Sequence, residues 1–295
     1  MKQRRHSTYW LLAIALWGSS TVFAEPFAEG PYLGQTPPGP IAKVFAPGLI
    51  CRTGPHQWES HGTFSTDGKT FCFARGTGVF ITENTDQGWT APKRIKSVPE
   101  TPWSPYLSPD ANCIYFMYRL DLYRCNRTAR GWAKPQKLGP PLSSPAAEWG
   151  FSLAADNSFY LASTRKGGRG GDVWYVPFVD NTWSEAIHIP ALNTRYSDGA
   201  PGIAPDESFL VFNSVRPRGL GGADLYLSLR QSDGTWTTPR NLGPRVNSAY
   251  LDIGPYISPD KKYLFFTRSN GFSPRKHSAD IYWVELKEYL PESYR

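Results

Sequence analysis

The segment Gly254–Asn270 reads GPYISPDKKYLFFTRSN, and Gly199–Arg216 reads GAPGIAPDESFLVFNSVR. Each holds a short strand, a Pro-Asp turn, an apolar run and a terminal arginine. Proline presets φ for a tight turn, and aspartate bonds the backbone amides that follow it. Aligned on the turn aspartate, the phrase occurs five times, at Asp67, Asp110, Asp156, Asp206 and Asp260. The intervals are 43, 46, 50 and 54 residues, near or somewhat above the roughly 40–50 of a propeller blade.

Each phrase continues alike. A turn leads into a further strand (GVFIT, DLYRC, DVWYV, DLYLS, DIYWV), and a tryptophan signature follows at Trp89, Trp132, Trp183 and Trp236. Four short strands per repeat, rich in β-branched and aromatic residues, describe an antiparallel blade. The fifth repeat ends before its tryptophan strand. Ala42–Ile50 stands in the matching place ahead of Glu59, so we expect it to complete the last blade and close the ring. Closure pairs edges that would otherwise stay open. The expected fold is all-β: one propeller of five blades, with six as the alternative count. It should span residues 41–286, with repeats near 51–95, 96–139, 140–190, 191–243 and 244–286. A Pro/Gly-rich lead-in (25–40) precedes it and a tail (287–295) follows.

The phrases SPDKKYLFFTR, GGADLYLSLRQSDGTWTTPRNLG and VNSAYLDIGPYISPD resemble the TolB-type WD40-like β-propeller repeat of exported bacterial proteins. The resemblance covers roughly residues 41–286. It implies a periplasmic or secreted binding scaffold, often for proteins, and no one reaction.

The first residues suit export. MKQRRH is a basic start, YWLLAIALW an apolar run too short to span a bilayer, and TVFA a small-residue cleavage site, so a signal peptide should end at Ala24. No later run is long enough for a membrane span. Removing this segment lowers the formal charge from +7 to about +4. With no Lys/Arg run left, nucleic acid is not an expected partner. An exported chain permits disulfides. With the CIYFMYRLDLYRC hairpin turning near Arg119, Cys113 faces Cys125, leaving Cys51 with Cys72.

Chemistry is sought at the end of the blade opposite the aspartate turns. The second strands end at Arg75, Arg119, Arg165, Arg216 and Arg268, and the first strands begin at Glu59, Glu148, Asp198 and Asp252. These should meet at one mouth, where each arginine can also reach a third-strand aspartate: Asp121, Asp172, Asp224 or Asp280. Arginine's planar fork suits such bridges. Blade one has Gly78 in place of the third-strand acid, and blade two has Pro102 in place of the first-strand acid. Arg75 and Arg119 are therefore the candidate anion sites. Trp58, Trp103 and Trp149 stand beside the mouth-facing strand starts of blades one to three, with Tyr196 and Tyr250 close by in blades four and five. No G-x-S-x-G or H-E-x-x-H occurs, and the histidines lack ligand spacing, so no metal or cofactor is expected; His56 and His61 flank Glu59. The reading is a binding module for an envelope protein or peptide, more a binder than an enzyme. The alternative is a carbohydrate-binding or glycoside-cleaving propeller that uses the aromatic and acidic mouth.

Overall fold

The computed structural model describes residues 28–52, 54, 57–165 and 171–295. The expected signal segment, His56 and most of the Gly-rich loop 165–172 lie outside these. Five antiparallel blades form a β-propeller. The inner three strands of each blade are Glu59–Phe64, Thr70–Arg75 and Gly78–Thr85; Trp103–Leu107, Cys113–Tyr118 and Asp121–Thr128; Glu148–Leu153, Phe159–Ser163 and Asp172–Val176; Asp198–Ile203, Phe209–Ser214 and Asp224–Leu229; and Leu251–Ile257, Tyr263–Ser269 and Ala279–Glu285. The outer strands are short: Lys93–Arg94, Gln136–Lys137, Ile187–His188 and Arg240–Asn241. The fifth outer strand is Lys43–Val44, which pairs with Trp283 and Tyr282. The chain thus closes its ring with its own N-terminal segment.

The repeated phrase explains the hairpins. Asp67 accepts from the Ser65 hydroxyl at 2.6 Å and the Lys69 amide at 2.9 Å. Asp110 does the same with Ser108 and Asn112, and Asp260 with Ser258 and Lys262. The Ser65 hydroxyl and then the Lys69 amide hold the Asp67 carboxyl below its ordinary pKa. These aspartates are turn braces.

Between blades the packing is aromatic. Phe45, Phe64, Phe71, Phe265 and Trp283 fill the seam between blades five and one, and Tyr106, Tyr115, Phe151 and Phe159 the seam between two and three. Several rings here meet edge-on, as Phe45–Phe265 do at 5.1 Å, a geometry aromatic quadrupoles favour. Hydrogen bonds cross the seams as well: Tyr256 Oη donates to the Phe64 carbonyl and Tyr106 Oη to that of Leu153. The described part of the lead-in and the tail are both built into the fold. Tyr32 packs among Phe64, Tyr263 and Trp283 and bonds Asp260, while Tyr289 and Leu290 are buried. The lead-in and the tail therefore do more than the sequence suggested.

The first strand of every blade carries a bulge, between Ser60 and Thr63, Trp103 and Tyr106, Glu148 and Gly150, Gly199 and Gly202, and Ile253 and Tyr256. His61, Ser104, Ala200 and Gly254 take positive φ there. Bulges turn the backbone toward the axis, where Pro105, Pro201 and Pro255 narrow the channel to a void of about 20 Å³.

The cysteines correct the sequence reading. All four are free thiols. Arg119 (φ 52) and Leu120 (φ 66) form a two-residue turn with both residues left-handed. This centres the hairpin between them, so Cys113 pairs with Asn126 and Cys125 with Ile114. One residue of slip turns the thiols to opposite faces. Cys113 then joins the central core and Cys125 the seam between blades one and two. Cys51 and Cys72 are divided between the same two clusters.

Candidate functional site

Four of the five expected arginines form clamps. Arg268 Nε donates to Asp252 at 2.7 Å, Arg165 lies 3.2 Å from Glu148, Arg216 bonds Asp198, and Arg75 approaches Glu59 at 3.2 Å. Each also donates to main-chain carbonyls at the end of the preceding outer strand's loop: Arg268 to Val246, Arg216 to Leu192, Arg165 to Pro141 and Leu142, and Arg75 to Leu49 and Ile50. Each guanidinium further rests on an aromatic ring of its own blade, Arg268 being 4.3 Å from the Tyr282 centroid. One side chain thus ties two blades together. The acids beneath are buried, and burial pushes the carboxyls of Glu59 and Asp252 above their ordinary range against the pull of Arg52 and Arg268, respectively.

Three sequence expectations change here. The third-strand aspartates take other partners: Asp121 pairs with Lys137, Asp172 with His188, and Asp224 with the Leu220 and Gly221 amides, while Asp280 lies beside Cys51. Arg75 is not left uncompensated, since it is enclosed by Glu59 and two carbonyls. Arg119 is a turn residue. Tyr118 holds the strand-end place, and the exposed Arg119 guanidinium lies 5.3 Å from the Tyr118 ring.

Where blade two lacks its clamp, a cleft of about 160 Å³ opens. Trp58 and Trp103 wall it, edge to face at 6.4 Å. Phe272, Pro274 and Arg275 border it from the loop between the last two strands of blade five. That loop is shaped from within: the Ser273 amide donates to His277 Nδ1, and the Ser273 carbonyl accepts from the His277 amide. The floor includes His61, whose Nδ1 is buried with no hydrogen-bond partner among the described residues. Gly254 makes room for this ring, since a Cβ there would meet the imidazole at 2.7 Å. Burial pushes the His61 pKa down to about 4. Trp103 lies in the cleft wall, while Trp149 stands apart and exposed, as does Tyr250. Neither Arg75 nor Arg119 lines the cleft, and neither do Glu148, Asp198 and Asp252. The sequence missed Phe272 and Arg275. Their signal was the long stretch between Arg268 and Asp280 where blade one needs only Gly76 and Thr77.

Among the described residues no group of three or more His, Cys, Asp or Glu side chains is placed to hold a metal ion, and no helix is long and apolar enough to cross a membrane.

No protein-family model and no curated protein matches the chain. Solved structures match in fold. An α-L-arabinofuranosidase from Lactobacillus brevis is 13% identical over 76% of this chain and 90% of its own, with a TM-score of 0.51. A gluconolactonase from Xanthomonas campestris is 13% identical over 83% and 87%, with a TM-score of 0.51. A TolB candidate from Agrobacterium tumefaciens is 16% identical over 74% and 71%, with a TM-score of 0.49. At such identities the likeness extends to the propeller fold and not to chemistry.

Proposed function

We propose that this chain is a binding propeller of the bacterial envelope whose mouth takes a protein or peptide. The observation that carries the reading is the fate of the inner-strand acids. All four are held by arginines, and the axial void is too small for a sugar ring. A glycosidase needs two free carboxyls about 5–10 Å apart around open space. The mouth instead presents exposed aromatic surface at Trp103, Trp149, Tyr250 and Phe272. Aromatic anchors are what protein interfaces favour, while charged groups are depleted at interface centres. The resemblance of the repeats to those of exported bacterial scaffolds supports the envelope location.

The test presents the immobilised chain to envelope proteins and, in parallel, to a glycan array. Proteins captured by wild type and lost from the Trp103→Ala, Trp149→Ala double variant support the reading. Glycans retained by wild type and lost from the same variant would replace it with the carbohydrate one.

A further inference from the structure

The cleft between blades one and two has a composition that narrows its ligand further than the mouth as a whole. Its walls are Trp58, Trp103, Phe272 and Pro274. No carboxylate lines it. Arg275 is its only lysine or arginine, and it makes no ion pair among the described residues. The cleft therefore suits an anion and repels nothing negative. Its volume of about 160 Å³ lies below the roughly 300–1,000 Å³ of pockets for drug-sized ligands, so it takes one side chain. In the floor, the His61 imidazole lies between the cleft and the axial void. At the rim Thr101, a β-branched residue, holds φ 59. Strain of this kind gathers at binding sites.

Resting on the proposal that the mouth binds protein or peptide, we infer that this cleft captures the free C-terminal residue of a peptide. An apolar side chain enters between Trp58, Trp103 and Phe272, and the terminal carboxylate meets Arg275. An Asp or Glu of an internal loop brings its carboxylate on the side chain that would have to fill the apolar cleft, whereas a chain end carries an apolar side chain and a carboxylate on one residue; a basic peptide would meet Arg275 with like charge.

The test is calorimetric titration of the full chain with N-acetyl-Gly-Gly-Leu and N-acetyl-Gly-Gly-Phe, each as free acid and as C-terminal amide. Charge-assisted hydrogen bonds predict acids that bind about tenfold or more tightly than amides. Arg275→Gln should abolish the difference, Arg275→Lys should keep part of it, and Trp103→Ala should weaken acid and amide together. Arg275 is on the surface, so unchanged melting temperatures should show that the Arg275 variants fold. Equal binding of acid and amide, a preference that survives Arg275→Gln, or no binding at millimolar peptide overturns the inference. If no tripeptide binds while envelope-protein capture still depends on Trp103 and Trp149, the terminus reading falls and the protein-binding reading stands. Tryptophan-dependent glycan binding in place of protein capture removes both.

Discussion

At the mouth of blade five, Arg268 lies on Tyr282, bonds Asp252 and reaches the Val246 carbonyl. In blade two Tyr118 and Pro102 stand in the corresponding places, and the surface beside them opens into the cleft walled by Trp103. The two blades share a phrase and a fold, so the difference separates what the repeat needs from what it leaves over. Arginine and acid are consumed in joining blades. Where that joint is missing, apolar surface and a loop from blade five make a recess. Charge in this mouth marks architecture, and its local loss marks the candidate site.

The comparison breaks first at the clamp. Arg268→Ala leaves Asp252 fully buried without its cation, and loss of one partner of a buried pair costs about 3–5 kcal/mol. Urea unfolding should show this. A loss near that of an exposed pair would mean that the clamp is ornamental. Gly254→Ala tests the cleft floor without touching a clamp. It forces a side chain into φ +59 and against the His61 ring, with an expected cost of about 2 kcal/mol in the same measurement.

A pH series sharpens the contrast. The folded state lowers the His61 pKa to about 4, below the ordinary value of 6.5, so it binds fewer protons there than the unfolded chain. The stability that follows is fully present above pH 6.5 and is lost as pH falls toward 4. His61→Asn, which tolerates the positive φ, should flatten melting temperature over that window. An unchanged slope would show that the imidazole is not held neutral. The smallest effect is expected at Arg119→Ala. Its guanidinium is exposed and rests on the Tyr118 ring, so stability should move by less than about 0.5 kcal/mol, against the several expected at Arg268.

The propeller was legible because its phrase is written five times, and the clamps because acids and arginines recur at fixed places. Registers were less legible. In blades three and four Ser163 stands opposite Glu148 and Ser214 opposite Asp198, so Arg165 and Arg216 reach their acids from two residues further on, whereas Arg75 and Arg268 lie directly opposite theirs. The left-handed pair Arg119–Leu120 moved one hairpin by a residue and with it the expected disulfide. Both outcomes depend on backbone conformations that no spacing reveals. The cleft was hidden for another reason. Arg275 and Trp103 are far apart in the chain and meet only because the ring brings blade five beside blade one.

That meeting depends on Lys43–Val44 lying against Tyr282 and Trp283, about 240 residues away. A ribosome makes the clasp about 240 residues before its partner. Between the two, the nascent chain holds open strand edges, which invite pairing with other chains. It becomes a closed ring only once Tyr282 and Trp283 have been made. Folding this molecule early is therefore hazardous, and any machinery that holds the chain extended until that strand appears would favour the closed product over the aggregate.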